Sequence, residues 1–153
     1  NFLSLDDVLV SDEGETIKPE SIIPLSMKNG KHVYPDFKGE VDDEFIQQIN
    51  RSDKKWIIFT SPEGTPVSVM DADGFIRSVL FCEHCPGIDN FCHQPLIVTD
   101  ESIDMGKVIL DMRSNFHENE DIPIEKDIVL FWTPKVKKII TGADILGRLL
   151  TGI

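Results

Sequence analysis

The chain has 153 residues, 41% hydrophobic and 27% charged, with 15 Lys and Arg against 27 Asp and Glu and a formal net charge of −12. That length fits one domain or two very small ones, and the apolar content excludes disorder throughout. An acid excess this large argues against duplex nucleic acid and anionic membranes, both of which are met with Lys and Arg.

Apolar stretches such as residues 78–82 and 128–132 fall far short of the roughly 20 residues a transmembrane helix needs. No basic segment followed by an apolar core resembles a signal peptide. The expectation is a soluble, cytoplasmic piece. It opens on Asn1-Phe2-Leu3 rather than Met, which reads as a fragment of a longer polypeptide or a processed form. Three cysteines, an odd number clustered between Cys82 and Cys92, suit a reducing compartment.

Residues 1–40 are acidic and rich in turn formers, with short apolar pieces at 8–10, 22–23 and 33–34, and predict an irregular lead-in with one or two short strands. Asp42-Asp43-Glu44 then place acids at a helix start, and Phe45, Ile46 and Ile49 supply an apolar stripe at helical spacing. Residues 56–60 read as a strand, 62–66 as a turn and 67–70 as a second strand. Asp71-Ala72-Asp73 signals a helix whose apolar face is Phe75, Ile76, Val79 and Leu80. The second half repeats the order. Residues 95–98 form a strand, and Asp100-Glu101-Ser102 caps a helix bearing Ile103, Val108, Ile109 and Met112. After an acidic loop at 118–121 come a hairpin of 127–132 and 137–140 and a last helix opening at Thr141-Gly142-Ala143-Asp144. Residues 69–80 match residues 139–150 without a gap, and self-similarity of this kind marks a duplication.

These residues resemble a known family, the tandem cystathionine-β-synthase (CBS) domain pair, or Bateman module. Each family repeat is β-α-β-β-α and ends in a strand running into Gly-h-h-Thr/Ser-x-x-Asp, where h is apolar. Here the C-terminal repeat reads Lys138-Ile139-Ile140-Thr141-Gly142-Ala143-Asp144, with Lys138 where the family usually has Gly. In the N-terminal repeat Asp71 stands at the Thr position, Gly74 at the Asp position and Asp73 one residue early. The resemblance implies an α+β fold of two such repeats packed as a pseudo-twofold pair. Residues 1–19 would be the lead-in, 20–82 the first repeat, 83–94 a Cys/His-containing linker and 95–153 the second repeat. Residues 1–8 and the C-terminal run are also similar to cytosolic CBS regions attached to bacterial membrane proteins such as the magnesium/cobalt exporters of the cyclin-M and CorC type.

In CBS pairs an adenine nucleotide sits between repeats: the motif Asp bonds the ribose, the Thr contacts the phosphate and the first strand's backbone holds the base. The resemblance thus implies AMP, ADP or ATP as a regulatory ligand held by Thr141, Gly142, Asp144, Lys138, Val98 and Thr99, with Asp71 and Asp73 at the weaker junction. Lys135, Lys137 and Lys138 concentrate positive charge near Thr141 in an otherwise acidic chain, which suits an anion. The competing reading is that Thr141 or Asp144 caps the last helix and the lysines form a solvated strand face.

Cys82, Cys85, Cys92 and His93 place three thiols and an imidazole within twelve residues, a ligand set suited to tetrahedral zinc; equally, they are packing residues. No nucleophile triad, Gly-rich phosphate loop or His-Glu-x-x-His motif appears, so catalysis is not expected. The sequence therefore predicts a non-catalytic regulatory module that binds an adenine nucleotide, controls an attached domain, and forms a homodimer through the helices after Asp71 and Asp144. The rivals are a ligand-free dimerisation module and a small zinc-binding domain.

Overall fold

In the computed structural model, residues 9–84, 87–110 and 128–151 are described; the acidic loop at 118–121, Met112, Cys85 and the first eight residues lie outside them. In chain order the strands are β1 (Glu15–Thr16), β2 (Ile22–Pro24), β3 (Ser26–Lys28), β4 (Lys31–Val33), β5 (Trp56–Thr60), β6 (Pro66–Asp71), β7 (Cys92–His93), β8 (Leu96–Val98), β9 (Ile128–Trp132) and β10 (Lys137–Thr141). The helices are α1 (Glu44–Ser52), α2 (Ala72–Phe81), α3 over 105–110 and α4 (Gly142–Thr151). The chain divides into two compact units, one of residues 18–93 and the other running up to Ile17 and on from Gln94.

The unit of residues 18–93 carries a sheet in the order β2-β5-β6-β7, with β2 parallel to β5 and the other pairs antiparallel. Asp43 begins α1: its carboxylate accepts from the Phe45 amide at 2.9 Å and from the Lys38 amide. Phe45, Ile46 and Ile49, spaced as one helical face, are buried against the sheet with Ile57, Phe59 and Met70. Phe75 of α2 is the hub, fully buried, with Phe37, Phe45 and Phe91 rings 5.2, 5.8 and 5.7 Å from its own. Ile57, Ile58 and Phe59 are all buried, so both faces of β5 are covered, as its unbroken apolar run requires. Among the described residues β3 and β4 pair only with each other.

The second unit has the order β1-β10-β9-β8, again with one parallel pair, β8 with β9. Val10, Val98, Met105, Val108, Val129, Phe131 and Ile140 form its core. Apart from the β3–β4 hairpin and the short edge strands β1 and β7, both units read strand, helix, strand, strand, helix, and the register places Val69 opposite Ile58 where Ile139 lies opposite Leu130. The fold is α+β and carries the duplication that the sequence shows.

Three details differ from expectation. The third helix is capped not by Asp100 but by Asp104, whose carboxylate accepts from the Lys107 amide at 2.8 Å. Asp100 instead closes a turn on Ser102 at 2.9 Å, leaving the Ile103 carbonyl to accept from the Val10 amide at 3.2 Å. Val10 begins a 3-10 turn rather than ending a strand. Finally, each short edge strand belongs to the unit whose repeat it does not directly begin: β1 precedes β2 but pairs with β10, and β7 precedes β8 but pairs with β6. Residues 9–17 of the lead-in are thus part of the C-terminal unit, and residues 88–93 of the expected linker, with Ile88 in the core, belong to the first.

Candidate functional site

The start of α4 brings Thr141, Gly142 and Asp144 together. The Asp144 carboxylate accepts from the Thr141 amide at 2.8 Å and the Thr141 hydroxyl at 3.1 Å, both on Oδ2, and the Asp144 amide donates to Thr141 Oγ1 at 3.3 Å. This is a reciprocal cap, with Thr141 before the first helical residue and Asp144 in the first turn. The junction is open: Asp144 is exposed, and a Cβ built on Gly142 would meet nothing within 4 Å. Asp144 Oδ1 takes part in none of the cap bonds. As first-turn donors, the Gly142 and Ala143 amides have no acceptor within the helix.

The corresponding junction in the other unit is built the other way round. The carboxylate lies on the residue before the helix, Asp71, and its Oδ1 accepts from the Gly74 amide at 3.2 Å. A Cβ on Gly74 would sit 3.0 Å from Asp71 Oδ2, so the place that Asp144 fills in α4 is taken by the Asp71 carboxylate. Asp73 is exposed and lines a polar recess with Asn50, Asp53, Lys54 and Lys55, whose two carboxylates balance its two ammonium groups.

The remaining predicted ligand residues do not gather at Thr141. Val98 lies level with Phe131, which lies level with Lys138, whereas Thr141 pairs with Ile128 at the far end of the hairpin. Two strand spacings and three residues of rise put Val98 about 14 Å from Thr141; Val98 is buried in the core and Thr99 exposed. Two of the three lysines are engaged elsewhere. Lys138, an odd number of residues from Thr141, faces the other side of the strand, and its ammonium donates to the Ser11 carbonyl at 2.7 Å. Lys137 donates to the Thr133 carbonyl at 3.0 Å and lies 5.1 Å from the Trp132 ring centre. Lys135 is exposed in the turn.

The described part of the candidate zinc set, Cys82, Cys92 and His93, is not drawn together. Cys85 lies outside the described residues, and among the described residues no three His, Cys, Asp or Glu side chains come together to hold a metal ion. Cys82 is exposed just after α2, its thiol donating to the His84 carbonyl at 3.1 Å. Cys92 and His93 are consecutive strand residues and point to opposite faces. Cys92 packs on the aromatic core, while His93 meets the edge of Trp56, ring centres 5.8 Å apart. Burial pushes the Cys92 thiol up, with hydrogen bonds to Ser68 and Tyr34 working against it. Burial likewise raises Tyr34, whose hydroxyl pairs with Ser68 Oγ at 3.0 Å. Sequence reasoning did not single out this Tyr34, Ser68 and Cys92 group, which no local spacing announces.

No helix among the described residues is long and apolar enough to cross a membrane. No family model and no curated protein matches the sequence. Solved structures do. A CBS-domain pair with bound AMP from Klebsiella pneumoniae is similar at a TM-score of 0.51 and 12% identity, over 94% of this chain and 99% of that one. An uncharacterized conserved protein from Pyrococcus horikoshii is similar at a TM-score of 0.48 and 13% identity, over 95% and 94%. With its two strand-helix-strand-strand-helix units and this likeness along nearly its whole length, the chain has the fold of a CBS-domain pair.

Proposed function

We propose that the chain is a non-catalytic regulatory module that binds one adenine nucleotide at the start of α4 and passes its occupancy to an attached domain. The observation that carries this reading is the open Thr141–Asp144 cap, with a carboxylate oxygen outside the cap bonds and open space over Gly142. Asp144 accepts from the ribose hydroxyls, and the Gly142 and Ala143 amides offer the phosphate the donors and partial positive charge of a helix N-terminus. The AMP held by the Klebsiella CBS pair supports the choice of ligand. The similarity of the chain's ends to transporter-linked CBS regions supports a membrane transport domain as the attached part.

Calorimetry of the chain with AMP, ADP and ATP tests it. One nucleotide per chain is expected, because the α2 junction is closed by its own Asp71. No heat and no thermal shift at millimolar nucleotide would overturn the ligand claim. A ligand-free homodimerisation module is the second reading, favoured by Leu146 of α4 and Phe81 of α2, 57% and 85% exposed. Native mass spectrometry showing a dimer indifferent to nucleotide would select it.

A further inference from the structure

β10 carries the proposed nucleotide site at one end and a second attachment along its length. The Ile17 amide donates to the Lys137 carbonyl at 2.9 Å, Glu15 and Thr16 pair with Ile139 and Lys138, and the Lys138 ammonium holds the Ser11 carbonyl at 2.7 Å. Val10 is fully buried in the same core as Ile140. At Gly14, φ is +80° and a Cβ would lie 2.3 Å from the Ile139 carbonyl oxygen, so only glycine lets the segment approach the strand this closely. Lys138 stands where the family motif has Gly, and its side chain provides the most distant of these ties.

We infer that docking of residues 9–17 onto β10 and nucleotide binding at Thr141–Asp144 are energetically coupled. The inference rests on the nucleotide reading above and adds its regulation. Both events need β10 in one position: the ligand meets the strand's last residue and the first turn of α4, and the lead-in meets the three residues before Ile140. The attachment is local, a two-residue strand, a few further hydrogen bonds and the buried Val10 side chain, so a ligand's binding energy suffices to bias it. Linkage then makes the effect reciprocal: nucleotide tightens the lead-in, and loosening the lead-in weakens nucleotide binding by the same factor.

The test is amide hydrogen exchange at Val10 and Ile17 with and without saturating AMP, paired with AMP titration of Gly14→Ala. Expected are exchange slowed at least about fivefold by AMP and affinity reduced by a matching factor in the variant. If Gly14→Ala fails to fold, Lys138→Met, which removes the ammonium and keeps the aliphatic stem, takes its place in the same comparison. AMP binding with unchanged exchange at both amides, or with unchanged affinity in the variant, overturns the coupling and leaves the nucleotide reading standing. Absence of AMP binding to the native chain overturns both.

Discussion

Asp144→Ala separates the two roles that one carboxylate is given. In the structure Asp144 Oδ2 accepts from the Thr141 amide and hydroxyl at 2.8 and 3.1 Å, and losing such a cap costs about 1 kcal/mol. For a chain of this size that is a fall of about 2–4 °C in Tm. If the same carboxylate also binds the ribose, its removal takes away a charge-assisted hydrogen bond of about 1.5–3 kcal/mol, or about ten- to hundredfold in affinity. Asp144→Asn keeps one acceptor oxygen and should fall between native and alanine in both readouts. Thermal unfolding without ligand measures the first quantity, and calorimetry with AMP, at a temperature where both variants are folded, measures the second. A Tm lowered by a few degrees with AMP affinity unchanged would show that Asp144 only caps its helix, and the assignment of the site would be refuted.

Phe75→Ala should destabilise the chain by about 3–5 kcal/mol, because Phe75 is fully buried and meets three other rings; a loss below about 1 kcal/mol in urea unfolding would contradict that packing. Iodoacetamide followed by peptide mapping should modify exposed Cys82 well before Cys92, whose thiol is half-buried and pushed up, and urea should abolish the difference. Hydrogen bonds from the Lys38 and Phe45 amides hold Asp43 below the ordinary carboxylate range. The stability this provides is present above the unfolded-state value and lost as pH falls through the lower folded value. Asp43→Asn should therefore flatten the acid limb of a stability-against-pH curve, and an unchanged limb would count against the cap at α1.

What the sequence made legible was whatever a short window determines. The caps at Asp43, Asp71 and Thr141 follow from an acid or hydroxyl placed before an apolar face, and all three are observed. At the third helix the local pattern points to Asp100, whereas the cap is Asp104, and the intervening Ile103 carbonyl receives the Val10 amide, a partner more than ninety positions away that no short window shows. β1 and β7 are two residues long, too short for any periodicity, and exist because longer strands offer them an edge. The placement of Lys138 relative to Thr141 is legible in the sequence as well. Strand alternation alone sets Lys138 and Thr141 on opposite faces, and it sets Cys92 and His93 apart in the same way.

The two strand-to-helix junctions occupy the same place in a duplicated frame and differ in where the carboxylate sits. Asp71 lies before its helix and bonds inward to Gly74, while Asp144 lies inside its helix and reaches back to Thr141. Either arrangement provides the helix with the cap it needs, so capping does not by itself dictate the difference. The two do differ in what they display. At α2 the carboxylate fills the space beside a glycine; at α4 it stands exposed in the first turn, next to a glycine with open space above it. An exposed acceptor beside helix N-terminal donors suits a ligand carrying both hydroxyls and phosphate, which is why we propose the nucleotide for one junction and not for its twin.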